Sequence, residues 1–315
     1  MKKFQLIALF ILSYLIFNSC SEDTTSPKDG CKYTIDSRLA ELYDCPPSVD
    51  NCYEGTLGNS EKMKALDRLN YLRAIHGLPE VGYNPDKDVA VQKSALISVA
   101  NETLTHTPAT DFKCYTTIGD TACRQSNLHI SYYSSLNQVW SSAASVDGWI
   151  NERYSPSIGH RRWFLSPFLK TVAFGRVDRI KSNGQYWVGT TMHVWDSDGS
   201  TDADVEFIAC PFHDYPSSAF EKDLILSFSV LMDKTNWWSN NKVLFPSSAI
   251  QVIDENQNSC TVTNKSFDND NYGLPNNIQW KVQGLEYNKR YNVTISNVSV
   301  NGQNKSYSYW FKIVN

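Results

Sequence analysis

The hydrophobic period changes partway along this 315-residue chain, and that change limits the fold more than any other feature. Between about Ser60 and Tyr154 the apolar residues recur at helical spacing. Leu66, Leu69, Leu72 and Ile75 mark one helix, and Gly77-Leu78-Pro79 stops it. A second starts at Pro85-Asp86 and turns Val89, Ala90, Ala95, Leu96 and Val99 inward. A third, predicted over 134–154, carries Val139, Ala143, Val146, Trp149 and Ile150. The stretch 171–195 then turns strand-like. Segments 172–177 and 186–191 flank Lys181-Ser182-Asn183-Gly184, whose Asn-Gly predicts a hairpin. Further on, the period is two: Leu224 to Met232, Ile278 to Val282, Tyr291 to Ile295, and Tyr307 to Ile313, the last entered through Asn301-Gly302. These patterns predict an α+β chain: helices layered on a hairpin sheet over 60–195, then an all-β sandwich over 205–315.

Leu285, followed six residues later by Tyr291 at a strand start, resembles the tyrosine corner of immunoglobulin and fibronectin type III domains. The sandwich is therefore expected to be immunoglobulin-like. Between the two halves, Asp196-Ser197-Asp198-Gly199-Ser200-Thr201-Asp202-Ala203-Asp204 reads as a solvated acidic linker. Alternating oxygen ligands would also suit calcium, but the glycine is misplaced for an EF-hand and no glutamate stands at the twelfth position.

The start of the chain predicts export. Lys2 and Lys3 precede an apolar run from Leu6 to Phe17, too short to span a bilayer comfortably but suited to a signal peptide over 1–19. The run ends at Asn18-Ser19-Cys20, a loose lipobox, so Cys20 is expected to carry lipid and hold the protein on a membrane surface. Residues 20–59 then form a tether and N-terminal extension. Ser21-Glu22-Asp23 resembles the acidic export signal of surface-displayed lipoproteins. The expected location is the cell envelope, as an outer-membrane lipoprotein with a route to the surface. Cleavage would remove Lys2 and Lys3 and shift the formal charge from −4 to −6. A mildly acidic body with no basic run argues against nucleic acid as partner.

Beyond Cys20 stand Cys31, Cys45, Cys52, Cys114, Cys123, Cys210 and Cys260, an odd set that suits an oxidising compartment. Cys114 and Cys123 lie close in one loop-like stretch and form the first candidate disulfide. Cys45–Cys52 or Cys31–Cys52, and Cys210–Cys260, are further candidates, which leaves one thiol free.

Familiar catalytic signatures are absent: no His-Glu-x-x-His, no Gly-x-Ser-x-Gly, no phosphate-binding glycine loop. What remains is a set of polar residues in the helical half. His106 follows the second helix, Glu152 ends the tryptophan helix, and His160 sits in Gly159-His160-Arg161-Arg162. In order and spacing, Asn70 and Arg73 ahead of Gly77-Leu78-Pro79, Thr105-His106, Asp147-Gly148-Trp149 and Gly159-His160 running on to Ala173-Phe174-Gly175 resemble the CAP superfamily. These are the cysteine-rich secretory proteins, antigen 5 and pathogenesis-related 1, and the bacterial branch fits best.

The resemblance implies an α-β-α sandwich with a cavity of two histidines and two acids that sometimes holds a divalent metal. His106 and His160 match the histidines and Glu152 one acid. The second acid precedes an asparagine in the family; here Ser126 stands before Asn127, which weakens a metal site. His106, His160 and Glu152 could still hold zinc with an ionisable water in the open position. Arg161-Arg162 reads as a solvated loop pairing with acidic neighbours, and Trp237-Trp238 as either core aromatics or a platform for a sugar or apolar ligand.

The sequence supports binding of a lipid, peptide or surface ligand over catalysis. A metal-dependent hydrolase of peptides or envelope polymers is the rival, and an envelope scaffold or adhesin the third reading.

Overall fold

The computed structural model describes residues 30–315. The expected signal peptide, Cys20 and the first ten residues of the 20–59 segment fall in 1–29, outside the described residues. No helix among the described residues is long and apolar enough to cross a membrane.

Helix α1 (Ser37–Ala40) and strands β1 (Tyr43–Cys45) and β2 (Thr56–Leu57) lead into α2 (Asn59–Ile75). Next come β3 (Gly82–Tyr83), α3 (Asp88–Asn101), α4 (Thr117–Arg124) and β4 (Ser126–Tyr133). Helices α5 (Ser142–Asn151) and α6 (Gly159–Phe164) precede β5 (Thr171–Ile180) and β6 (Tyr186–His193). The sheet order is β3-β5-β6-β4, with β4 at an edge.

This is the expected α-β-α sandwich. Helix α3 lies so close on one face that a Cβ at Gly175 would sit 2.5 Å from the Val91 backbone, and one at Gly189 2.7 Å from Val99. Residues one step along the pleat point the other way. There Phe174 meets the edge of Trp149 on α5, and Arg176 is fully buried. Arg176 donates to both carboxylate oxygens of Asp178 at 2.7 and 2.9 Å; Tyr43 and Tyr186 donate to the same carboxylate. Burial alone would lower the Arg176 pKa, but the adjacent Asp178 charge outweighs it and holds the guanidinium charged. Tyr43 thus ties the N-terminal extension into the core of the first domain.

The disulfides differ from the expected pairing. Cys31 bonds to Cys45, and Cys52 to Cys114. Cys114 and Cys123 are not joined: α4 turns Cys123 inward, where its buried thiol lies 3.1 Å from Ser94 Oγ. Cys210 and Cys260 are likewise free thiols, so nothing staples the second domain.

That domain contains β7 (Phe207–Cys210), β8 (His213–Pro216), β9 (Leu226–Val230), β10 (Val243–Leu244), β11 (Ala249–Asp254), β12 (Val262–Asp268), β13 (Asn277–Val282), β14 (Arg290–Val300) and β15 (Gln303–Val314). One sheet runs β12-β13-β9-β7; the other runs β10-β14-β15-β8, with β11 also on β14. This two-sheet layout agrees with the expected immunoglobulin-like sandwich. Asn301 and Gly302, both at positive φ, make the two-residue turn between β14 and β15. The Tyr291 hydroxyl accepts from the Glu286 N–H at 2.9 Å, as a tyrosine corner requires.

The two halves share one continuous hydrophobic core. Arg161 and Arg162 are buried, not on a solvated loop. Arg161 donates to the Ile150 and Asn151 carbonyls on its own side and to the Ile225 carbonyl across the junction. Arg162 pairs with Asp268 at 2.8 Å. The acidic segment keeps Asp198, Asp202 and Asp204 in solvent as read, but Thr201 is buried and ties it down: its N–H donates to the Lys234 carbonyl and its Oγ1 to that of Pro167.

Candidate functional site

The site forms where α5 ends against the edge strand. Trp149 of α5 donates its indole N–H to the Leu128 carbonyl of β4 at 2.9 Å, which fixes the helix over the strand. The helix stops at Glu152 in the left-handed conformation, φ 52°. The chain re-enters helix at Ile158, also left-handed at φ 48°. A β-branched residue there is a true outlier, and such strain persists only where surroundings enforce it.

Glu152 supplies that enforcement. Its buried carboxylate accepts from the backbone N–H of His160 at 2.5 Å and of Arg161 at 3.3 Å. Its other oxygen faces His160 Nδ1 at 3.2 Å. The acid thus caps α6 and orients the imidazole together. Asn127 adds a second hold, donating to the His160 carbonyl at 3.1 Å.

His106 comes from the loop after α3, and its ring centroid lies 6.2 Å from that of His160. Its Nδ1 is 2.7 Å from the Cys123 carbonyl. A carbonyl only accepts, so Nδ1 carries the hydrogen and Nε2 the lone pair. A neutral His160 is fixed in the same tautomer by the Glu152 carboxylate. Desolvation lowers the His106 pKa first, and the neighbouring His160 lowers it further.

His129 on β4 joins this group. Its ring stacks on Trp140 at 5.3 Å and its Nε2 lies 2.8 Å from Ser131 Oγ. Burial, then the His160 charge, push its pKa down to about 4. Ser126 opens β4 with its hydroxyl buried and without a hydrogen-bond partner. The structure therefore draws His160, Glu152 and Asn127 into one network, sets His106 beside it and leaves Ser126 unconnected. The strand register that brings His129 in, and the Cys123 carbonyl that orients His106, had no signature in the sequence.

A catalytic zinc site takes three protein ligands and an open position. His106 and His160 present Nε2, and their Nδ1 partners are of the kind that orient metal ligands. Glu152, however, is engaged by three donors, and no acid stands at 126. Among the described residues, no group of three or more His, Cys, Asp or Glu is placed to hold a metal ion. With Glu152 engaged and no acid at 126, the donor set does not fit catalytic zinc.

No curated protein matches the chain. Residues 66–190 match the model of CAP, the cysteine-rich secretory protein family, a span that holds both histidines, Glu152 and all of the four-stranded sheet except the end of β6. These residues are therefore a CAP domain of that family.

Proposed function

We propose that this is an exported, lipid-anchored binding protein whose CAP domain recognises a lipid, peptide or surface ligand outside the cytoplasm. Anchoring through Cys20 and placement in the outer envelope rest on the N-terminal sequence, and the disulfides suit an oxidising compartment. The observation that carries the binding reading is the engagement of Glu152. Its oxygens hold α6 and His160, so the site offers imidazoles to a ligand but no spare carboxylate to act as general base.

Depressed pKa values at His106 and His129 favour neutral rings, which accept or donate single hydrogen bonds to a polar group. Such a set of groups suits orienting a ligand's head better than activating water. The rival, a metal-dependent hydrolase using His106, His160 and Glu152, needs Glu152 to leave the α6 backbone.

The test is to titrate residues 21–315 with a fluorescent fatty acid, a peptide pool and purified envelope polymer fragments. Saturable binding of one probe, recovered chemically intact and weakened in His106→Ala or His160→Ala, supports the proposal. Turnover of any of them, or no saturable binding by any, contradicts it.

A further inference from the structure

A concavity of about 690 Å³ lies where the two domains meet, a volume within the range of ligand sites. None of its lining residues belongs to the histidine site. Its walls carry Trp163 and Trp195 from the CAP side, Trp237 and Trp238 from the sandwich side, and Asp196 and Asn271 between them. Trp195 is 56% exposed and Trp238 57%, although each is large and apolar. Paired tryptophans left open to water in one concavity mark a surface kept for a ligand.

The cleft is held in shape. Trp237 donates its indole N–H to the Gly273 carbonyl, and its backbone N–H donates to the Gly199 carbonyl at 3.1 Å. Gly273 sits at φ 57° with the Arg162 carbonyl where a Cβ would go, so its loop rests directly on α6. Arg162 bonds the same loop through the Asp270 carbonyl. A ligand would meet walls already ordered, which lowers the entropic cost of binding.

Chemistry narrows the ligand. Among the described residues no lysine or arginine lines the concavity, while Asp196 and Asp198 do; Lys170, 3.7 Å from Asp198, offsets part of that charge. Anionic lipids, fatty carboxylates and sulfated glycans would meet repulsion. An organic cation suits indoles and carboxylates, but it needs rings closed round one point within about 6 Å. Here the indoles form two separate pairs, Trp163 with Trp195 and Trp237 with Trp238, across a much larger space fringed by serine, threonine and asparagine. Sugar rings present apolar C–H faces to indoles and a rim of hydroxyls to amides and carboxylates, and they match both features. We infer that this interdomain cleft binds a neutral glycan, stacking its rings on Trp195 and Trp238 and hydrogen-bonding its hydroxyls to Asp196 and Asn271. This goes beyond the histidine site and does not depend on it.

The experiment titrates residues 21–315 by calorimetry with cellohexaose, laminarihexaose, chitohexaose and mannohexaose, and with choline as the cationic probe. At least one hexasaccharide is expected to bind saturably. Trp195→Ala and Trp238→Ala should each weaken it by roughly tenfold or more, and Trp→Phe at the same positions should restore part. Both side chains are exposed, so unchanged circular dichroism will separate lost binding from lost folding. Failure of all four hexasaccharides, binding indifferent to both alanines, or tryptophan-dependent binding of choline alone would overturn the inference.

Discussion

Buried histidines make the folded chain sensitive to acid. His76 is enclosed between α2 and the second domain, 3.3 Å from the Tyr215 hydroxyl; burial first, and then the Arg73 charge, lower its pKa to about 3. His129 stands at about 4. Both lie below the unfolded value of about 6.5, so the unfolded chain takes up more protons as pH falls. Their contribution to stability is whole above about 6.5 and is lost downward through about 4 for His129 and about 3 for His76. Urea unfolding midpoints should therefore fall steadily from pH 7 to 4, and His76→Leu should flatten part of that slope. Cysteine pairing gives a second prediction. Removing Cys52–Cys114, which closes a separation of 62 residues, should cost about 2–4 kcal/mol, while Cys123→Ser should leave the thermal midpoint nearly unchanged. The reverse ranking would restore the Cys114–Cys123 pairing that sequence proximity suggested. Proximity misled because α4 intervenes: it turns Cys123 toward Ser94, and Cys114 adopts φ 61° to meet Cys52.

Elements with a strong period were legible, and those fixed by partners were not. Helices α2 and α3, the β5–β6 hairpin and the Asn301-Gly302 turn follow from apolar spacing and turn chemistry, although Val89, read as facing inward, is 52% exposed in the first turn of α3. The helix predicted over 134–154 is shorter, Ser142–Asn151, because the preceding stretch follows β4 and docks Leu136 and Trp140 as a loop. Strand β4 was hidden by its polar residues: Asn127 and His129 face the site and break the alternation of an ordinary half-buried strand. The site was legible to the same degree. Its histidines and Glu152 could be picked out, but the role of Glu152 as a cap on α6 depends on a left-handed turn that no spacing encodes. At this scale Gly175 is the sharpest test. Gly175→Ala would drive a Cβ into the Val91 backbone and should cost about 1–3 kcal/mol, measured by chemical denaturation. A neutral effect would show that α3 does not sit on the sheet as described.

Two domains that read as separate in sequence pack as one body, because polar residues, among them the Arg161 and Arg162 read as a solvated loop, are spent at the junction. Arg161 links α5 to the Ile225 carbonyl, Arg162 takes Asp268, Arg153 takes Glu221 and Asp223, and Gln279 donates to the Pro156 carbonyl. Pattern analysis assigns charged residues to the surface, and only tertiary contact shows which of them are buried. Calorimetry of residues 21–315 should give one unfolding transition, which Arg162→Ala splits or broadens; two well-separated transitions in the unaltered chain would rule out the shared core. The same junction holds α6, and through α6 it holds His160 against Glu152. With three donors on it, that carboxylate acts as a clamp and not as a metal ligand. Metal analysis and zinc titration of residues 21–315, beside His106→Ala and His160→Ala, test this most directly. A clamp predicts no stoichiometric metal and the same weak zinc response in all three proteins. One tightly bound metal per chain, lost in both variants, would contradict it and make the histidine site a metal centre.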